Sequence, residues 1–248
     1  AVPLKIHIIT EDDGSGGLDL VDLNQGIANL NYHFQDGGLE FYICGDLDYI
    51  HDATYYDFHS TQQSESALAA IADEVTNAMN IYVTNTIDFG GPVGGYAYLP
   101  SNNAISTRSY IRRSDFLANS SMNGAGSLAH ELGHNFNLYH TFEGTESGNT
   151  GPHAEHVSRT GANANCETEG DSLCDTPADP KYDQDASNDP DDSYNFDDAT
   201  CTFIQGETDV FGNLYAPSIS NIMSYYPFWC QEGFTAGQHD RINAALNL

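Results

Sequence analysis

Residues 128–144, LAHELGHNFNLYHTFEG, hold three histidines and an acid whose types and spacing suit metal-assisted hydrolysis. His130 and His134 stand four apart, so on a helix they lie one turn from each other and two imidazoles can meet one metal ion. Glu131 is rotated by about 100° from His130 and reaches water beside that ion, where a carboxylate can act as a base. Leu128, Leu132 and Phe136 repeat at spacing four on another face, so the packing side does not compete with the histidine side. His140 cannot stay on the same helix and reach the same ion, because ten residues of helix would carry it roughly 15 Å along the axis. The chain must turn sharply after about Asn135, through a residue with positive φ. Glycine adopts that conformation most easily and asparagine next, so Asn137 is the expected turning residue.

The elements that must position this stretch are written around it. In LDLVDLNQGIANLNYHF (residues 18–34) Leu20, Leu23, Ile27, Leu30 and Phe34 step by three and four, which predicts an amphipathic helix stopped by Gly37 and Gly38. SESALAAIADEVTNAM (64–79) predicts a second, with Leu68, Ile71, Val75 and Met79 on one stripe and Ser64 as N-cap. Strand-like runs surround them: LKIHII, LEFYIC, NIYVTNTI, GGYAYLP and AISTRSYI. Helices alternating with strands predict a mixed α/β region around one twisted sheet. After His140 the sequence turns to Gly, Asn, Asp, Thr and Pro with little apolar periodicity and reads mostly as loop. Order returns in FTAGQHDRINAALNL, where Thr235 and Gln238 have the spacing of a capping box.

A chain of 248 residues that is 40% hydrophobic can bury the core of one enzyme-sized unit. Seven Lys and Arg face 36 Asp and Glu, a formal charge of −29 that repels nucleic acid and anionic membranes and attracts cations. No apolar run approaches the roughly 18 residues of a membrane span, and AVPLKIHIIT lacks the pattern of a signal peptide, so a soluble, trimmed form is expected. Of five cysteines, Cys44, Cys166, Cys174, Cys201 and Cys230, none forms a Cys-x-x-Cys pair; two disulfides with Cys44 left over fit a secreted protein better than a structural zinc cage. The acidic run KYDQDASNDPDDSYNFDD fits a solvated loop or a cation site.

Downstream, NIMSYYPFWC supplies a methionine that, with the histidine motif, resembles the metzincin zinc endopeptidases. More narrowly, GGYAYLP, LAHELGHNFNLYHTFEG, GDSLCDTPAD, NIMSYYPFWC and FTAGQHDRI resemble the pappalysin family, with Asn137 standing where that family usually has glycine. The resemblance implies an α+β zincin with a twisted mixed sheet and helices in an upper subdomain (1–137) and a loop-rich, disulfide-stapled lower subdomain (138–248), together one catalytic domain. It implies a single catalytic zinc on His130, His134 and His140, with a zinc-bound water activated by Glu131. Met223 would lie in the turn beneath the metal, and Tyr225 would donate to the developing oxyanion or pack beside that turn. Gly95, Tyr96 and Ala97 would bind protein or peptide substrates by strand addition if their strand is an edge, and Trp229 would line the pocket for the residue after the scissile bond. The same resemblance implies structural Ca²⁺ at Asp171, Asp175 and Thr176, a segment that also reads as a turn of solvated polar residues; Asp209 and Asn213 in GETDVFGNLY are a weaker second candidate. It pairs Cys166 with Cys201 and Cys174 with Cys230, one of three connectivities that four cysteines allow.

A secreted endopeptidase and a silent, calcium-stabilised binding module of the same fold are both compatible with the zinc ligands. A module released from catalysis has no chemical need of Glu131 or Tyr225, and both are present. An exopeptidase of another zincin clan would usually recruit a downstream glutamate as third ligand, in place of His140.

Overall fold

The computed structural model describes residues 1–116, 126–144, 155–180, 196–197, 199–204 and 208–246. The chain divides into two compact units, Ala1–Asn137 and Leu138–Leu248.

The first unit opens with strand β1 (Val2–Thr10), whose nearly continuous burial fits a strand covered on both faces. Helix α1 (Leu20–Phe34) is capped by Asp19, which accepts from the amides of Val21 and Asp22. It buries Leu23, Leu30 and Phe34, while Leu20 at its first position is exposed, so the inward stripe starts one turn later than the spacing predicts. Strands β2 (Phe41–Ile43) and β3 (Asp48–His51), helix α2 (Ala53–Tyr56) and strand β4 (Asp57–His59) follow. Helix α3 (Gln62–Ile71) is shorter than expected and starts earlier. Thr61, not Ser64, is its N-cap, and Ser64 completes the capping box from the third helical position. The predicted stripe through Val75 and Met79 does not continue as helix, because Ala72 is extended and Met79 opens β5 (Met79–Thr84). Pairing of β5 with β1 and β8 overrides the local helical periodicity there.

Strands β6 (Thr86–Asp88), β7 (Gly95–Ala97) and β8 (Arg108–Arg112) and helix α4 (Gly126–Asn135) complete the unit. Sheet order is β2-β1-β5-β8-β7, with β3 also pairing β1; all pairs are parallel except β7 with β8. β4 and β6 form a separate parallel pair. Against one face of the main sheet lie α1 and α4, where Phe34, Phe41 and Phe136 meet. The opposite face presents Tyr82, Tyr96 and Tyr110 to Leu68, Phe58 and Ile87.

The second unit has little regular structure among its described residues: an antiparallel pair β9 (Phe196–Asp197) and β10 (Thr202–Phe203), and helix α5 (Ala236–Leu246). The capping box of α5 is formed, with the Gln238 amide donating to Thr235 Oγ1 at 3.1 Å and Thr235 N–H to Gln238 Oε1 at 2.8 Å. The expected disulfide pairing is corrected. Cys166 joins Cys174 and Cys201 joins Cys230, with Cα separations of 5.0 and 5.6 Å, and neither Cys166–Cys201 nor Cys174–Cys230 forms. Gly170 and Ser172, both at positive φ, fold the segment back so that Cys174 meets Cys166 within one local loop. Cys44 is the free thiol, half-buried at the end of β2.

Candidate active site

Helix α4 separates its two jobs as its spacing predicts. Leu128, Leu132 and Phe136 are buried, and Phe136 packs against the rings of Phe34 and Phe41. His130 and His134 lie one turn apart with ring centroids 4.8 Å from each other and planes at 87°. The C-terminal end of the helix is pinned by Asn135, whose amide donates to the carbonyls of Tyr98 and Ser106 at 3.0 and 3.1 Å while its oxygen accepts from Ser109 Oγ at 2.6 Å. Two residues later Asn137 takes φ 69°, its N–H bonded to His134 O, and the helix is left behind. Ring nitrogens of His130, His134 and His140 then all lie within 4.8 Å of one another. Three imidazoles converging with no thiolate or further carboxylate in the group suit zinc.

Glu131 is buried on the same helix as His130 and His134, and burial, helped by the charge of Asp115, raises its carboxyl to about 8. Space for it comes from an unexpected source. A Cβ on Gly95 would stand 3.1 Å from Glu131 Cγ and 2.9 Å from Tyr110 O, and one on Gly94 would stand 2.5 Å from Asp115 Oδ2. These glycines give room to the acids behind the strand. Asp115 is held by Arg112 Nη2 at 2.8 Å and by Ser127 Oγ at 3.1 Å. No motif in the sequence distinguishes Asp115, because only the fold brings it near Glu131.

Strand β7 ends the sheet order. Arg112 N–H donates to Gly94 O, and the register places Tyr96 opposite Tyr110, so Gly94 and Tyr96 turn their backbone groups toward β8. Gly95 and Ala97 turn theirs outward, to an edge that no described strand covers.

In the second unit the His140 ring stacks on Phe142 at 4.7 Å and meets the Tyr225 ring at 4.8 Å; Tyr225 is 44% exposed. Met223 is fully buried in a turn whose carbonyl accepts from Thr141 N–H, one residue after His140. That turn is set by Asn221, which accepts from Met223 N–H at 2.9 Å and exchanges amide hydrogen bonds with Gln238. Gln238 therefore caps α5 and braces the methionine turn at once; its spacing from Thr235 betrays the first role and nothing local betrays the second. Trp229 is half-exposed on a single 3-10 turn (Phe228–Cys230) tied down by Cys230.

The acids expected to hold Ca²⁺ have different partners. Asp171 is buried with Oδ1 on Leu173 N–H and no partner for Oδ2, and Thr176 is buried beside it. Burial raises Asp171 to about 6. Asp175 is exposed and instead accepts from Gly237 N–H at 2.6 Å in the first turn of α5. Asp209 spends both oxygens on its own turn, accepting from Phe211 N–H, Asn213 N–H and Asn213 Nδ2. Two buried acids that the sequence does not single out join the unit: Asp179, which takes the Thr141 hydroxyl at 2.6 Å, and Glu155, which forms a two-pronged pair with Arg159 at 2.9 Å. Burial raises Glu155 to about 7, opposed by Arg159.

Residues 62–247 match the peptidase family described as pregnancy-associated plasma protein-A. An extracellular metalloprotease of Podospora anserina is 26% identical over 254 residues, 98% of this chain and 72% of that protein. One of Colletotrichum graminicola is 26% identical over 71% of this chain and 57% of its own length. Among solved structures, mature mirolysin of Tannerella forsythia in complex with a cleaved peptide superposes with a TM-score of 0.63 over 98% of this chain and 89% of that one, at 17% identity.

Proposed function

The chain belongs to the pappalysin family of zinc metalloendopeptidases, and from that premise we propose that it cleaves internal peptide bonds of proteins outside the cell with Glu131 as proton carrier. The observation that carries this reading is the convergence of His130, His134 and His140 around one point, with Glu131 buried on the same helix, α4, as the first two. Zinc, once bound, supplies Lewis-acid polarisation of water and of the scissile carbonyl. Glu131 accepts the proton of the attacking water and delivers it to the leaving amine. Tyr225, against the His140 ring, donates to the oxyanion that develops on the carbonyl. Met223 and Asn137 position His140, the first through the turn on which Thr141 rests, the second by its left-handed backbone.

A substrate strand adds to the outward groups of Gly95 and Ala97, an interaction indifferent to side chains that suits unfolded or flexible segments. The residue after the scissile bond packs on Trp229. An indole offers an apolar face and no compensating charge, so apolar or small residues are favoured over Arg and Lys there. Asp171, with an unpartnered buried oxygen, and Thr176 are the seat of a structural Ca²⁺. Extracellular action is supported by the names of the relatives and by two disulfides.

The test is metal analysis of the purified protein together with digestion of a denatured protein. One zinc per chain, activity lost to a chelator and restored by zinc is the expected result; activity that survives complete zinc removal would overturn it.

A further inference from the structure

Four aromatic rings cross the main sheet in register. His7 lies opposite Tyr82, Tyr82 opposite Tyr110, and Tyr110 opposite Tyr96. Their rings stack at centroid separations of 4.5, 5.0 and 4.6 Å, with planes within 19° of parallel. These separations match the ~4.8 Å spacing of neighbouring strands, so β1, β5, β8 and β7 each contribute one rung to a single stack. β7 is the last strand, yet the stack has a fifth rung. Phe89 lies on Tyr96 at 4.6 Å with planes at 18°. Two rings stacked at 4.6 Å cannot share one face of a phenol, so Phe89 occupies the face away from Tyr110, beyond the open edge of β7.

Phe89 reaches that place from a tight turn rather than from a strand. Its N–H donates to Gly91 O, Asp88 Oδ1 accepts from Gly91 N–H at 2.8 Å, and Gly90 and Gly91 supply positive φ. Asp88 bridges Pro92, and Val93 N–H returns to Ile87 O, so the turn that carries the ring is closed on both sides. The ring is 49% exposed. A large aromatic held by a braced turn on the open edge of a sheet, at the spacing of the next strand, stands where an added strand would place a side chain.

We propose that Phe89 is a specificity-determining residue that restricts the substrate residue in register with Tyr96 to a small side chain. This rests on the reading that substrate adds as a strand to β7. Opposed side chains on adjacent strands have Cβ atoms about 4.5–5.5 Å apart, so the added strand must put one side chain where the Phe89 ring stands. Its neighbours, opposite Gly95 and Ala97, project to the other face and do not meet Phe89. Glycine, alanine or serine in register with Tyr96 leaves the ring in place. Phenylalanine, tyrosine or leucine there must displace it and lose the stack it makes.

Zinc-loaded wild-type enzyme and Phe89→Ala digest the same peptide library, and cleaved sequences are read by mass spectrometry. In the wild type one position, at a fixed distance from the scissile bond, is confined to small residues. Phe89→Ala relaxes that position alone and raises the kcat/KM ratio of a Phe-containing over a Gly-containing peptide by about 2- to 10-fold or more, the worth of a new stack on Tyr96 plus relief of the clash. Phe89→Trp, which keeps a ring on Tyr96, retains the restriction. A parallel series of peptides, N-methylated at one backbone amide at a time, reports on strand addition itself. Sensitivity at alternate amides with an unchanged Phe89→Ala profile overturns the role of Phe89 alone, whereas sensitivity at no amide overturns the strand addition on which it rests.

Discussion

Helix α4 in the first unit carries His130, His134 and Glu131 apart from Leu128, Leu132 and Phe136, whereas around Met223 in the second unit the same few polar side chains do every job. Gln238 caps α5 and braces Asn221; Asn221 sets the methionine turn; Thr141 rests on that turn and on Asp179. In the first unit apolar packing fixes the backbone and chemistry is added on a face of its own. In the second, buried polar groups share the interior with Phe142, Tyr215, Ile222, Met223 and Tyr226, and Arg159, Arg241 and two disulfides tie its loops. Removing a functional side chain should therefore separate activity from stability in the first unit and fail to separate them in the second.

The largest effect expected is on Glu131. Glu131→Ala should lower kcat/KM by about 10²–10⁴-fold or more by removing the proton carrier, with zinc content and thermal midpoint unchanged or the midpoint slightly raised, because a desolvated carboxyl is lost. Metal analysis, melting curves and peptide hydrolysis on one preparation check it, and a variant that turns over normally removes Glu131 from the mechanism.

Arg159→Ala tests the opposite half of the comparison. Both prongs of the guanidinium lie on Glu155, and its Nε donates to Thr176 O. The substitution strands a carboxylate that is fully buried, which costs about 3–5 kcal/mol. Stability and activity should fall together. A urea midpoint close to that of wild type would show that the second unit is held by something other than its buried ion pairs.

This division also governs what could be read before the fold was known. Periodicity announces α1, because it buries one stripe and the stripe is written locally, while α4, buried on nearly every side, is announced by the spacing of its histidines and leucines and α5 by its capping box. β3, α2 and β4, within LDYIHDATYYDFH, carry no such signal, since each is only three or four residues long and the two strands owe their conformation to pairing with distant strands. The convergence of His130, His134 and His140 and the turn at Asn137 follow from spacing and residue type, whereas the place of β7 at the end of the sheet order is decided by the fold. Asp115, Glu155 and Asp179 are not legible either, because an acid becomes a buried partner only when the chain has folded around it. Nor does any local pattern tell that Gly94 and Gly95 lie against Asp115 and Glu131. The disulfide connectivity is likewise a property of the folded loop, decided by the reversal at Gly170 and Ser172.

Calcium removal gives a smaller effect, confined to the second unit. If a cation sits on the unpartnered Asp171 oxygen, free Ca²⁺ at about 100 times its dissociation constant contributes about 2.7 kcal/mol. A calcium-selective chelator should lower the melting midpoint and open the loops after residue 138 to proteolysis first, with zinc retained. A midpoint indifferent to the chelator would leave Asp171 and Thr176 with no calcium role.

The smallest effect expected falls at the last residue of the first unit. Asn137 is exposed, holds φ 69°, and contributes only backbone to the turn, its N–H on His134 O. Glycine would remove the residual crowding of a Cβ in the left-handed region, a gain of under about 1 kcal/mol for so tolerant a residue as asparagine. It would also loosen the unfolded chain, a loss of about 0.4–1 kcal/mol. The two nearly cancel, so Asn137→Gly should shift stability by less than about 0.5 kcal/mol in favour of glycine and leave zinc content and hydrolysis as they are. Asn137→Val supplies the contrast, because a β-branched residue has no comfortable left-handed conformation, and straightening the turn would carry His140 away from His130 and His134. Zinc content and activity should drop in the valine variant while the packing of Phe136 against Phe34 and Phe41 persists. An activity loss in Asn137→Gly as deep as in Asn137→Val would mean that the asparagine amide itself, rather than the backbone angle it tolerates, serves the site.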